Sequence, residues 1–144
     1  CEDIEAKKSD LSYINAFHDA SLEIGCSCFV GSGVTISRGI YGKITKIGNN
    51  TFISNNSIIA HAVTIGENCM ILGCHICGSV DIGNNVRINP KAVISNGLKI
   101  GDNVTVLLGS IVITDVKNDM TVSGHFAIEH PRFLYKFVKL FGKI

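Results

Sequence analysis

Four short segments of this 144-residue chain read alike: Ile47-Gly48-Asn49-Asn50, Ile65-Gly66-Glu67-Asn68, Ile82-Gly83-Asn84-Asn85 and Ile100-Gly101-Asp102-Asn103. Their spacings are 18, 17 and 18 residues, and Ile24-Gly25 joins the series if the first interval carries five extra residues. Between them aliphatic residues recur every six positions: Ile47, Ile53, Ile59, Ile65 and Ile71, then Ile82, Ile88, Ile94, Ile100, Val106 and Val112. An α-helix repeats every 3.6 residues and a flat strand every 2, so neither accommodates this period. A triangular coil does, with six residues per side and three sides per turn.

In such a coil the aliphatic points into the prism, and Gly or Asn takes the corner because both tolerate the left-handed backbone region. Composition agrees. The chain holds 21 Ile and 12 Val, which favour strands, beside 15 Gly and 12 Asn, which favour tight turns. One coil cannot bury its own inner face, so at least five must stack, from about Ile24 to Val112. The pattern resembles the left-handed parallel β-helix, an exception to the right-handed crossover rule. The expected fold class is therefore all-β, a hexapeptide solenoid, closed by a C-terminal α-helix.

Two irregularities break the period. Extra residues must leave the prism within 38–46, and the 17-residue coil loses one residue within 73–78. Solenoids tolerate such changes at corners, and they also use them to shape sites. Residues 1–13 lack periodicity and are expected to be an arm or the remnant of an upstream domain. Residues 14–117 form the β-helix domain and 118–144 an extension. In that extension Phe133, Leu134, Phe137, Val138 and Phe141 follow helical spacing after Pro131, with Arg132, Lys136, Lys139 and Lys143 mostly off the stripe.

Lys and Arg number 13 against 12 Asp and Glu, a net charge of +1, which excludes a strongly basic nucleic-acid reader. No apolar run approaches the roughly 20 residues of a membrane-spanning helix, and no signal peptide opens the chain. Six cysteines in a chain with this aliphatic content fit a reduced, cytoplasmic protein better than a disulfide framework. Cys74-x-x-Cys77 has metal-ligand spacing, but no second such pair follows it, so no metal site is expected.

Several segments carry more than the repeat. Gly33-Val34-Thr35-Ile36-Ser37-Arg38-Gly39 precedes Ile59-Ala60-His61-Ala62-Val63-Thr64-Ile65-Gly66-Glu67-Asn68. Gly78-Ser79-Val80-Asp81-Ile82-Gly83 follows, and Ser123-Gly124-His125-Phe126-Ala127-Ile128-Glu129-His130-Pro131-Arg132 closes the series. Over about residues 14–140 the chain resembles the UDP-3-O-acylglucosamine N-acyltransferases of lipid A synthesis and related UDP-amino-sugar N-acyltransferases. Where that family carries a second histidine, Ser95-Asn96-Gly97 stands here.

His61 lies two positions after inward Ile59, at a corner, and should reach solvent. A neutral imidazole near pH 7 suits a base that takes the proton of an attacking amine. The resemblance implies that His61 is that base and that the Gly78 N–H stabilises the oxyanion. It implies transfer from acyl carrier protein or a coenzyme A thioester to a UDP-linked amino sugar, in lipid A or surface-polysaccharide synthesis, by a homotrimer with sites between neighbouring prisms and no metal. Arg132, Lys136 and Lys139 would meet an acidic carrier protein on the basic helix. Two rival readings are a non-catalytic solenoid scaffold and a solenoid carbonic anhydrase with His61 and His75 among its ligands. The latter lacks a third histidine in the regular coils; His18, His125 and His130 fall in irregular segments.

Overall fold

The computed structural model describes residues 4–7, 13–16, 20–124, 135–136 and 138–140. Residues 22–122 wind into a left-handed parallel β-helix whose strands of two or three residues stack into three sheets. The first face comprises Leu22–Ile24, Thr45–Ile47, Thr64–Ile65, Asp81–Ile82 and Lys99–Ile100. The second runs from Phe29–Val30 to Thr121–Val122, and the third from Thr35–Ile36 to Ile111–Val112. Every pairing within these faces is parallel and joins like positions of successive coils, as Ile47 with Ile65 and Ile82 with Ile100. Thr121–Val122 pairs with Thr105–Val106 and adds a rung beyond the period readable in the sequence.

The inward position of each strand builds the core. Ile53, Ile59, Ile71, Ile76, Ile88 and Ile94 have no exposed surface. Each such side chain contributes roughly 1.5–3 kcal/mol of burial. Outward positions differ by face. The first shows Glu23, Lys46, Asp81 and Lys99, while the second shows a stacked Phe29–Phe52 pair with centroids 4.7 Å apart, then Met70 and Arg87.

Corners carry the left-handed residues. Asn50, Asn68, Asn85, Asn103 and Asp119 have φ between 55° and 61° on one edge of the prism. Beside them an Asn or Asp side chain reaches back to the preceding coil. Asn84 Oδ1 accepts from the Glu67 N–H at 2.9 Å, and Asn118 Oδ1 from the Asp102 N–H at 3.1 Å. The 17-residue coil is shortened at the edge between the second and third faces, where Gly73 (φ 51°) makes the corner.

The extra residues within 38–46 form a tight hairpin. The Ile40 and Lys43 N–H groups donate to each other's carbonyls at 3.0 and 3.1 Å, and Tyr41 (φ 51°) and Gly42 (φ 71°) make a type I′ turn. Outside the prism, Ile4–Lys7 and Tyr13–Ala16 pair antiparallel. Of the expected C-terminal helix, residues 135–136 and 138–140 are helical within the described residues. Among the described residues no helix is long and apolar enough to cross a membrane.

Candidate active site

His61, Gly78 and Asn96 occupy the same position of three successive coils, on the edge between the third and first faces. The coils are tied there by backbone bonds: Ser79 N–H to His61 O at 2.9 Å and Gly97 N–H to Gly78 O at 3.0 Å. The His61 ring lies over Gly78, whose Cβ, if present, would stand 2.8 Å from Cε1 and nearer still to Nε2. Gly78 does not have a left-handed backbone, so its lack of a side chain makes room for the ring rather than for the turn. His61 is in consequence half-buried instead of standing free in solvent, and Gly78 is buried beneath it.

The equivalent N–H groups of Glu67, Asn84 and Asp102 on the neighbouring edge are each capped by a side chain from the next coil. Among the described residues no side chain caps the Gly78 N–H. An imidazole and an uncommitted backbone donor thus share one corner. That combination can take a proton and stabilise a developing negative charge.

The segment after His61 is held from two sides. Ala62 adopts φ 54°, which costs a non-glycine residue roughly 1–2 kcal/mol. Its N–H donates to the buried Thr45 hydroxyl at 2.9 Å. Ile40 of the hairpin packs with Ala62 in a small cluster separate from the main core. Beyond that cluster lies an open groove of 470 Å³ lined by Gly42, Lys43, Ala62, Thr64, Ser79 and Asp81, among others. The hairpin therefore walls a groove that starts next to His61. Its insertion was visible in the sequence; its direction was not.

The other sequence candidates lie elsewhere. His75 is exposed on the third face, paired in register with Ile58 and Val93, and so stands on a flat sheet rather than at a corner. Cys74 points inward and is buried, and Cys77 is half-buried beyond the strand. Burial pushes the Cys74 thiol up to about 12 and raises that of Cys69. Among the described residues no group of three His, Cys, Asp or Glu could hold a metal ion. Lys136 and Lys139 are exposed on the helical residues. Arg132, with His18, His125 and His130, lies outside the described residues.

The bacterial transferase hexapeptide (six repeats) family matches residues 44–74 and 65–96, which include His61 and Gly78. UDP-3-O-acylglucosamine N-acyltransferase of Maricaulis maris (strain MCS10) is 38% identical over 60 residues, which cover 42% of this chain and 17% of that protein. Galactoside acetyltransferase in complex with coenzyme A is 29% identical with a TM-score of 0.64, over 71% of this chain and 60% of its own. A hexapeptide-repeat acetyltransferase of Vibrio cholerae O1 biovar eltor, complexed with acetyl coenzyme A, shares the fold. It is 23% identical with a TM-score of 0.61, over 71% of this chain and 66% of its own. The chain resembles hexapeptide-repeat acyltransferases, and it spans only part of each relative.

Proposed function

We propose that this hexapeptide-repeat chain is an acyltransferase that moves an acyl group from a thioester to the amine of an amino sugar, with His61 as base. The observation that carries the proposal is the seating of the His61 ring on Gly78, at a corner whose next residues, Ala62 and Ser79, line a groove. The relatives' names supply the reaction class: an N-acyltransferase of an acylglucosamine, and acetyltransferases solved with coenzyme A.

In the proposed step the amine nitrogen bonds to the thioester carbonyl carbon while His61 takes its proton. The carbonyl oxygen becomes an oxyanion, for which the uncapped Gly78 N–H is the proposed donor; one such donor is worth about 2.7–4 kcal/mol. Collapse of the intermediate breaks the carbon–sulfur bond, and the thiolate leaves to take up the proton held by the imidazolium. No acyl-enzyme forms.

The acceptor we propose is a UDP-linked amino sugar of lipid A or surface-polysaccharide synthesis. The donor is a coenzyme A thioester or an acyl carrier protein, the latter meeting the helix of Lys136 and Lys139. The catalytic unit we propose is the domain at 14–117, whose prism begins at Leu22 and gains a further rung at Thr121–Val122, between an arm at 1–13 and the extension. We further propose a cytoplasmic homotrimer whose sites lie between neighbouring prisms. Thiol release from acetyl coenzyme A, followed with UDP-glucosamine as acceptor, tests the assignment. Turnover above the uncatalysed rate that is lost in His61→Ala supports it, and equal turnover in both proteins removes His61 from the chemistry.

A further inference from the structure

The groove beside His61 holds two exposed charges of opposite sign. Lys43 closes the hairpin, Asp81 points outward from the first face, and both line the same groove. Among the described residues neither forms an ion pair. Exposed charges of opposite sign that line one groove suit a ligand carrying both signs. Thr64 and Ser79, which carry hydroxyls, line the same groove.

The hairpin itself is made at a cost. Its turn places Tyr41, exposed at 62%, in the left-handed region, where Asn or Gly would sit more easily. Gly39, just before it, is so tightly enclosed that a Cβ would approach Ala20 Cβ and Ile44 Cα to 2.8 Å. Its N–H is fixed on Ser21 O at 3.2 Å. The insertion is anchored at its base and projects beside the groove.

We infer that this groove is the acceptor subsite, in which Asp81 takes the ammonium of an amino sugar on binding and Lys43 its phosphate. The inference rests on the acyltransfer reading above, and it adds which face of the prism receives the acceptor. The groove reaches the corner through Ala62 and Ser79, the residues that follow His61 and Gly78. An amino sugar seated there presents its nitrogen towards the imidazole from the first-face side, leaving the third-face side of the corner to the thioester.

Binding is testable without turnover, by amide NMR titration of the full chain with UDP-glucosamine, UDP-glucose and glucosamine. The expected result is a UDP-glucosamine response at the Gly42, Thr64 and Ser79 amides. Asp81→Asn should weaken UDP-glucosamine by about three- to tenfold and leave UDP-glucose unchanged, as expected for a single charged contact. Lys43→Gln should weaken both nucleotides by a similar factor and leave glucosamine unchanged. A response elsewhere on the prism, no response at millimolar ligand, or binding indifferent to both substitutions overturns the inference. Both residues are exposed, and the amide spectra of the variants report directly whether they fold. Thioester turnover assayed in parallel separates the two ideas: groove binding without turnover would sink the enzyme reading and with it the acceptor role, whereas turnover without groove binding would sink the subsite alone.

Discussion

The imidazole of His61 lies across Gly78 of the next coil so closely that a methyl group on Gly78 would stand 2.8 Å from Cε1 and 3.0 Å from Cδ2. The ring's orientation is thus set by an absence one coil away. Gly78→Ala should leave the coil folded, since the Gly78 backbone is not left-handed, yet displace the ring. A misplacement of about 1 Å costs on the order of 10² in rate. The double variant with His61→Ala should lose little beyond His61→Ala alone, because both changes remove the same base. Multiplicative losses in thioester turnover would show that Gly78 acts independently.

His61→Ala alone should lower transfer by a factor of about 10²–10⁴, the usual worth of general acid–base catalysis. His75→Ala, on the open third face, should change it far less. Circular dichroism of both variants should overlay the parent spectrum. A His75 effect as large as that of His61 would contradict the assignment of the site to the corner.

Stability should follow the inward positions. Ile88 is fully buried, so Ile88→Ala should cost about 2–5 kcal/mol. Ile111 is 57% exposed, and Ile111→Ala should stay within about 0.5 kcal/mol if that face is free in solution. Denaturant titration reads both directly. A large cost at Ile111 would mean that the third face is covered.

The buried thiols make an alkaline prediction. The Cys74 pKa is raised from 9.0 to about 12 and that of Cys69 is raised too, both chiefly by desolvation. A thiol whose folded pKa exceeds its unfolded value supports the fold fully below pH 9.0. That support then declines as pH rises towards the folded value of about 12. Denaturation midpoints should therefore fall above pH 9.0, and Cys69→Ala/Cys74→Ala should flatten the decline. In the native protein iodoacetamide should label exposed Cys26 and spare both buried thiols. Equal labelling of all three would show that the prism opens.

Donor preference should be legible in salt. If the helix bearing Lys136 and Lys139 steers an acidic carrier protein, transfer from that donor should weaken between low and physiological salt. Exposed charges are screened beyond about 8–10 Å there. Lys136→Glu/Lys139→Glu should weaken it further while leaving coenzyme A thioesters nearly untouched. Equal effects on both donors would make the helix structural only.

Assembly is the remaining expectation. Light scattering at micromolar concentration should give three times the chain mass, in keeping with sites shared between prisms. A monomer would sink the shared-site model.

The period of six identified the core because burial at this fold's inward position admits almost nothing but a β-branched aliphatic. Ile47, Ile53, Ile59 and Ile65 could hardly have been read otherwise. The corner of His61 was equally visible, two residues past an inward isoleucine. Its half-burial was not, since that depends on Gly78 leaving room for a ring across a coil boundary. The insertion within 38–46 announced itself by breaking the spacing, but Gly42 and Lys43 could not be placed in one groove with Asp81 by counting. Thr121 and Val122 fall outside the readable period because Val116-Lys117-Asn118-Asp119 interrupts the aliphatic rhythm before them.

Gly73 closes its corner with one residue fewer than the corners above and below it, yet Ile76 still pairs in register with Ile59 and Ile94. The edge has absorbed a deletion without passing it on to either sheet. Length in this chain is thus punctuated by edges, and a change of register at one vertex is forgotten by the next. Evolution or an engineer can lengthen or trim the two edges away from His61 while the corner that holds the imidazole keeps its neighbours. Novelty can accumulate in such a protein by editing vertices one at a time.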